Sequence, residues 1–569
     1  MKSEIIALLA GELKGKITKE EIERLVEVPS NDSMGDFAFP CFSLAKIEKK
    51  SPLAIAEDIC ERIRKKKLSS FSVTNVDAKG GYVNFFVDKK LIAEGVLKNL
   101  DSILSERKKT GKKIMVEFSQ PNTHKAFHVG HIRGTSIGES LSRIFEFNGD
   151  KVVRANYSGD TGMHIAKWIW CYQRFHKKEE LKDDESWIAG IYVDAIKRLA
   201  EDEAKNGKSG KLQEEVNEIN RKIETKSDKE INELWKKTRQ LSIKSWEKIY
   251  RELGTRFDVH FFEGEVELDA KKIAQDLVKK KIAVVDDGAT IIDLKDYGLS
   301  VWVLLRSDGT VLYSAKDLVL AEKKMKDFPS DRYLVVVGDE QKLHFQQLSK
   351  TLELMKVKKA KDYGFLTFGM VRLPSGKMSS RTGDNILYSD FIDEVADAIK
   401  SEMKKRDNTL SVKELERRAL VVAIAAIKYS FLKQDPNKVI IFEKSSALQF
   451  EGDTGPYLLY SYARASSIIR KVKAKSSAIK IIDLKQEEVR LLKKISDFDA
   501  IVEKSCNLLA PNLVANYCYE LAGLFNEFYH ACPVIGSVEQ AFRLKLVDAF
   551  RLTIKKGLYL LGIDVLEEM

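Results

Sequence analysis

The chain has 569 residues, 44% of them hydrophobic and 32% charged. That mix excludes a disordered or fibrous protein, and the longest apolar run, Ala419 to Ile427, is too short to span a bilayer and reads as a buried helix. With 96 basic and 85 acidic residues the formal net charge is +11, which favours polyanionic partners such as nucleic acid without requiring them.

Length suggests about three or four domains. The start, MKSEIIALLAGELKGKITKEE, has a short apolar stretch and no cleavage-like site, so no signal peptide is expected. Residues 1 to about 105 mix helix and strand. Thr18 and Glu21 form a capping box, and Ser51 with Pro52 open a second helix. GGYVNFFVD alternates like a strand, and ERKKTGKK reads as a solvated linker. From Lys113 the pattern is strand (KIMVEF), helix (IRGTSIGESLSRIFEFNG, closed by Gly149) and strand (KVVRANY), the opening of a parallel α/β domain. Residues 175 to 250 are highly charged and helical, broken at EDEAKNGKSGK, and read as an insertion. The α/β pattern resumes at VLYSAKDLVLAEKK and RYLVVVGDEQ, and beyond about 385 the chain is almost wholly helical. There is no internal repeat.

The six cysteines, Cys41, Cys60, Cys171, Cys506, Cys518 and Cys532, include no C-x-x-C pair. They read as reduced thiols of a cytosolic protein, and no zinc site is expected.

The segment Asn122 to His131, NTHKAFHVGH, holds three of the chain's 8 histidines together with Lys125, and His164 follows in NYSGDTGMHIAK. His128 and His131 share a face at the start of a helix, whose free N–H groups suit phosphate. Gly130 lets a flat ligand approach the backbone. The segment follows a strand, at the end of a parallel sheet where nucleotides bind. A lone histidine is more often a satisfied core residue; the H-x-G-H spacing between strand and helix favours a ligand.

HVGH resembles the HIGH signature of class I aminoacyl-tRNA synthetases, and SGKMSSRTGD, with Lys377, Met378, Ser379 and Ser380, resembles their K-M-S-K-S loop. EFSQPNTHKAFHVGHIRGT, NYSGDTG, SDGTVLYSAKDL, EQKLHFQQL, EGDTGPYLLYSYARASSIIRK, GDFAFP and the closing LLGIDVLEEM together look like arginyl-tRNA synthetase over essentially the whole chain. The resemblance implies a Rossmann-like α/β catalytic domain with an N-terminal α+β domain and a C-terminal all-α bundle. The implied boundaries are 1–108 (tRNA elbow), 109–384 (catalytic, with the insertion at about 175–255), 385–445 (helical connection) and 446–569 (anticodon binding). It implies activation of L-arginine by ATP, brought with Mg²⁺, and transfer to the 2′-hydroxyl of the terminal adenosine of tRNA(Arg), with tRNA bound before activation. A monomeric, cytoplasmic enzyme with no membrane partner and no metal site of its own is expected.

By the same resemblance, Glu117, Asn122, Tyr313, Asp317 and Gln341 contact arginine. Tyr313 and Asp317, four apart, share a helix face, and Asp317 is the first choice for the guanidinium. Its plain alternative is a helix acid balancing the dipole. His128, Gly130, His131, Lys377, Met378 and Ser379 contact ATP, and His128, His131, Lys125 and Lys377 are the catalytic set. Ser380 stands where the second lysine of K-M-S-K-S is usual, so Lys125 is expected to supply that charge, with Arg381 the next candidate. Tyr457, Tyr460, Arg464 and Arg470 could stack on RNA, although buried packing suits the tyrosines at least as well. Two other readings are a catalytically silent synthetase-like RNA-binding protein and a nucleotidyltransferase with another acceptor; intact motifs and the arginine-pocket residues argue against them.

Overall fold

The runs KIMVE and RYLVVVG are aliphatic on both faces, as in strands covered on both sides. The computed structural model describes residues 2–27, 29, 34–66, 73–207, 210–374, 376–377, 387–406, 409–472, 481 and 483–569, and in it these runs lie side by side in a five-stranded sheet. The order in space is Tyr363–Phe368, Arg332–Gly338, Lys113–Glu117, Lys151–Ser158, Val259–Phe262, with every pairing parallel. Counted along the chain this is 5-4-1-2-3, so the winding reverses between the first and fourth strands. At such a reversal a crevice opens beyond the carboxyl ends. Val335 lies opposite Glu117 and Glu117 opposite Ala155, so three strands deliver their following loops to one place.

One face of the sheet is covered by helices Glu267–Lys279, Tyr313–Asp327 and Lys342–Leu354, whose Leu277, Leu318, Leu348 and Leu352 pack with Met115, Val153, Ala155 and Val335. Each such leucine contributes about 1.5–3 kcal/mol relative to exposure. The alternate residues Ile114, Val116, Leu334 and Val336 are equally buried on the other face. The helix Val129–Phe147 packs on the same strands. A side chain at its Gly138 would fall 2.1 Å from Phe118, so this crossing needs glycine.

Beneath that helix lies a buried ion cluster. Arg154, wholly buried, donates to Glu139 at 2.8 Å and to Glu146 at 2.6 Å. Glu139 also accepts from Arg143 at 2.7 Å and Thr255 at 2.8 Å. Burial alone would raise the Glu139 carboxyl, but Arg154 and Arg143 outweigh it and hold it below its ordinary 4.5. Arg154→Met should therefore cost about 3 kcal/mol, because a buried carboxylate loses a partner; the midpoint of urea unfolding measures this. Because the folded carboxyl is depressed, its share of stability is present above pH 4.5 and is lost as pH falls through the folded value. The variant should lose less stability on acidification than the parent.

The second half of the α/β region carries an antiparallel meander, Val284–Asp286, Ala289–Ile292 and Trp302–Leu305, which the helical and parallel patterns did not suggest. The insertion is helical as expected: Glu185–Asn206, Lys211–Glu224 and Lys229–Glu252 close over Trp168, Trp170 and Trp235.

By packing, the chain divides into two compact units. One comprises residues 105–467, 499–522 and 551–569 and contains the parallel sheet; the other comprises 1–104, 468–498 and 523–550. The second unit is built on an antiparallel sheet in the order Phe37–Pro40, Tyr82–Val87, Val73–Lys79. Helix Pro52–Arg64, capped by Ser51, buries Ile55, Ile59 and Ile63, and the Thr18–Glu21 capping box is formed. Helix Lys89–Lys98 packs on Gln486–Ser496, where buried Glu488 holds Arg543 at 2.7 Å. Among the described residues none of the six cysteines forms a disulfide. Among the described residues no helix is long and apolar enough to cross a membrane.

Candidate active site

The loop FSQPNTHKAF joins the strand ending at Glu117 to the helix Val129–Phe147. Three of its non-glycine residues have left-handed backbone: Ser119 (φ 80°), Gln120 (φ 51°) and His124 (φ 62°). Such residues cost about 1–3 kcal/mol each and persist only where surroundings hold them. The returning insertion helix Lys229–Glu252 does much of the holding. Tyr250 meets Ser119 at 3.0 Å, Ser242 accepts the His124 N–H at 3.1 Å, and Thr238 meets the His124 ring at 2.7 Å. His124, wholly buried, is thus a structural residue.

His128 is the N-cap of the helix and His131 is its third residue. The Gly130 N–H donates to His128 Nδ1 at 3.2 Å, and the His128 N–H donates to His131 Nδ1 at 3.1 Å. The rings stack with centroids 3.8 Å apart. Burial, then the nearby charge of Lys125, pushes His128 down to about 4; burial, His128 and Lys125 push His131 well below its usual range. Both rings are therefore neutral at physiological pH. With each Nδ1 accepting, the proton sits on Nε2, so the pair presents two Nε2–H donors, which suit phosphate oxygens. The helix end itself is less open than its sequence suggests, because the Gly130 N–H is already engaged by His128.

Lys125 is partly buried with its ammonium 5.5 Å over the Tyr192 ring. Burial and Lys167 lower its pKa, and Glu263 opposes them. It therefore lies within electrostatic reach of both the histidines and Glu263. Lys377 belongs to the short strand Gly376–Lys377, paired with Val371–Leu373. Met378, Ser379, Ser380 and Arg381 lie outside the described residues. The chain returns at Leu387, which bridges to His128, and the Tyr388 N–H donates to the Phe127 carbonyl at 2.8 Å. Glu185, the first residue of the insertion's helix, accepts N–H bonds from Tyr388 at 3.3 Å and Ser389 at 3.2 Å. Burial pushes its carboxyl up to about 7 against those bonds. Sequence reading did not identify Glu185, since a first-turn glutamate looks like ordinary dipole compensation.

Beyond the strand ends lies a cavity of about 380 Å³. Glu117, Asn122, Tyr313, Asp317 and Gln341 all line it. So do residues that motif reading missed, among them Tyr157, Glu263, Lys324, Glu340 and His344. Four lining carboxylates, Glu117, Glu263, Asp317 and Glu340, face one lysine, Lys324. The cavity thus favours a cation. Burial first, then Asp317, Glu263 and Glu117, pushes the Tyr157 hydroxyl well above its usual range, which reports the same field. Lys324, itself buried, pairs with Glu117. Asp317 Oδ2 accepts from His344 Nε2 at 2.6 Å, while His344 Nδ1 accepts from Trp302 Nε1 at 3.3 Å. Trp302 so fixes the tautomer that aims Asp317. Among the described residues no donor is recorded on the other Asp317 oxygen. Tyr313 covers His344, ring centroids 4.7 Å apart.

Gly159 closes the floor: a side chain there would fall 2.3 Å from Asn122 Oδ1 and 3.2 Å from Glu263 Oε2. Gly159→Ala should displace Asn122 and raise KM for the cavity's ligand about tenfold, the worth of one polar contact, with Tm nearly unchanged. Steady-state kinetics and a thermal scan check both halves.

Comparison with known proteins identifies the family. Residues 95–443 match the family described as tRNA synthetases class I (R), catalytic domain. Residues 458–569 match the DALR anticodon binding domain, and residues 3–87 the arginyl tRNA synthetase N terminal domain. The chain is 36% identical over 564 residues to an arginine–tRNA ligase of Clostridium acetobutylicum, covering 97% of both chains, and 36% identical over 563 residues to that of Clostridium perfringens, again covering 97% of both. In structure it is similar to Thermus thermophilus arginyl-tRNA synthetase, with TM-score 0.82, 25% identity and 100% of both chains covered. The Plasmodium falciparum arginyl-tRNA synthetase shares the fold at TM-score 0.77, 21% identity, over 100% of this chain and 99% of that one. The chain belongs to the class I arginyl-tRNA synthetase family.

Proposed function

We propose that this chain is an arginine–tRNA ligase: it activates L-arginine with ATP·Mg²⁺ and transfers the arginyl group to the terminal adenosine of tRNA(Arg). The observation that carries this is the cavity, where four carboxylates and one lysine converge beside a neutral histidine pair at the winding reversal of the sheet. A guanidinium needs planar acceptors that can pair with two N–H groups at once. Asp317, aimed by His344, faces it, with Tyr313 and Gln341 lining the pocket. Glu117 and Asn122 hold the end of the substrate nearest the histidines.

In the first step a carboxylate oxygen of arginine attacks the α-phosphorus of ATP, and the bond to the bridging oxygen of pyrophosphate breaks. Such chemistry needs positioning and charge stabilisation more than covalent help. His128 and His131 donate Nε2–H bonds to phosphate oxygens, Gly130 keeps the approach open, and Lys125 and Lys377 balance the departing charge. Met378 and Ser379 complete the nucleotide contacts. Magnesium arrives with ATP as part of the substrate. In the second step the 2′-hydroxyl of tRNA attacks the carbonyl carbon of the mixed anhydride and AMP leaves. Residues 1–108 serve the tRNA elbow, 109–384 the chemistry, 385–445 the connection and 446–569 the anticodon, in a monomeric cytoplasmic enzyme.

Nothing in the structure favours a catalytically silent reading. Purified chain should transfer labelled arginine to tRNA(Arg) in an ATP-dependent manner. A folded chain that binds tRNA without charging it would establish the silent reading instead.

A further inference from the structure

Cys171 ends the helix Met163–Cys171, and His176 ends the turn that follows it. On a regular α-helix, side chains five residues apart diverge by about 140° and cannot share a ligand. Here Tyr172–His176 is wound as a π-helical turn, whose i→i+5 spacing returns the fifth residue to the starting face. Such turns are rare and concentrate at functional sites.

Asp194, from helix Glu185–Asn206, lies between the two: its Oδ2 is 3.4 Å from Cys171 Sγ and 3.0 Å from His176 Nε2. One ligand atom from each of the three residues lies within 4.8 Å of the others. Glu179 meets the outer nitrogen of His176, Nδ1, at 2.6 Å and is itself held by Trp187 Nε1 at 2.8 Å. Arg198 donates to Asp194 at 2.7 Å and stacks on Phe175 at 3.8 Å. A thiol, an imidazole and a carboxylate are a zinc-type donor set. A carboxylate on the outer histidine nitrogen is the support such ligands usually carry. Bonds of about 2.0–2.3 Å place ligand atoms roughly 3.3–3.7 Å apart around one ion, near the 3.4 and 3.0 Å spacings to Asp194, so binding would draw the Cys171 and His176 atoms toward each other.

We propose that Cys171, His176 and Asp194 bind one thiophilic divalent cation of the zinc class, with water as the fourth ligand, fastening the π turn to helix Glu185–Asn206. Binding expels the Cys171 thiol proton to solvent. His176 binds through a neutral Nε2, its proton held on Nδ1 by Glu179. The thiolate, Asp194 and Glu179 then balance the dication and Arg198. None of these residues lines the cavity described above, so the site is a strut of the insertion and not part of the arginine chemistry. The sequence held the signal as C-x₄-H, a spacing that only a π turn makes usable, which is why a search for C-x-x-C pairs passed over it.

The test titrates chelator-stripped, full-length chain with Co²⁺ and then Zn²⁺. One cobalt per chain is expected, with a near-ultraviolet thiolate-to-cobalt charge-transfer band that one equivalent of zinc bleaches. Cys171→Ser should abolish the band. Glu179→Gln should weaken binding about 10- to 100-fold. His176→Gln, at a less buried position, tests the site even if the cysteine variant folds poorly; it should lose most of the cobalt affinity while circular dichroism stays unchanged. No binding at micromolar cobalt, binding without a thiolate band, or a band that survives Cys171→Ser would each overturn the proposal.

Discussion

Asp317→Ala is expected to lower kcat/KM for arginine about 150- to 5,000-fold, with KM for ATP changed by no more than about twofold. Removing one member of a desolvated charge pair costs about 3–5 kcal/mol, largely because the partner is left uncompensated. In the proposed complex that partner is the substrate guanidinium, and two of the three other lining carboxylates are already paired: Glu117 with Lys324, and Glu263 with Lys316 at 2.8 Å. Asp317→Asn should fall between the two enzymes, because it keeps an acceptor for His344 but loses the charge. Kinetics with each substrate varied in turn distinguish the roles. Equal rises in both KM values would make Asp317 a structural residue of helix Tyr313–Asp327.

The second large effect concerns Lys125. Ser380 stands where a lysine is usual in the second signature loop, and a missing cation must be replaced if pyrophosphate is to leave. The Lys125 charge depresses His128, His131 and His164, and Glu263 favours the charged form of Lys125 itself. Lys125 is therefore within electrostatic reach of the histidine pair and of Glu263, which lines the cavity. Lys125→Ala should therefore slow adenylate formation about 100- to 1,000-fold, with tRNA affinity little changed. Adding Ser380→Lys should restore part of the rate. Because burial and Lys167 hold the ammonium below its ordinary 10.5, the charged form is lost earlier than in a solvated lysine. The parent's activation rate should then fall with rising pH before ordinary lysines titrate, and the Ala variant should lack that limb. Near-normal pyrophosphate exchange in Lys125→Ala would transfer the role to another cation, Arg381 first.

Features are legible in the sequence where the contacts behind them are local. Strand runs, helix caps and the H-x-G-H segment are encoded within a few residues, and they appear where periodicity and capping chemistry put them. The cavity is not local. Asp317, which we propose receives the guanidinium, is held by a relay from Trp302 through His344, residues up to 42 apart in the chain. Family resemblance supplied Asp317, but nothing in EQKLHFQQL marked His344 as more than a helix residue. The same holds for Glu185, whose carboxylate acts across 203 positions on Tyr388. The π turn failed to register for a different reason: YQRFH carries no glycine, proline or other residue whose propensity marks a break in a helix, so nothing in it separates a π turn from an ordinary one. The Val284–Leu305 meander was missed because its strands are three or four residues long, too short for a period of two to declare itself.

If paired acceptors in the cavity select a guanidinium, ATP–pyrophosphate exchange driven in turn by arginine, lysine and citrulline, with tRNA(Arg) present, should separate the three. Citrulline has the shape of arginine with a neutral ureido group, and lysine has the charge without the planar fork. A site built to pair with buried N–H donors rejects analogues lacking them by roughly ten thousandfold. Exchange should be robust with arginine and slower by about that factor with the other two. Comparable exchange with lysine or citrulline would show that the cavity does not select a guanidinium.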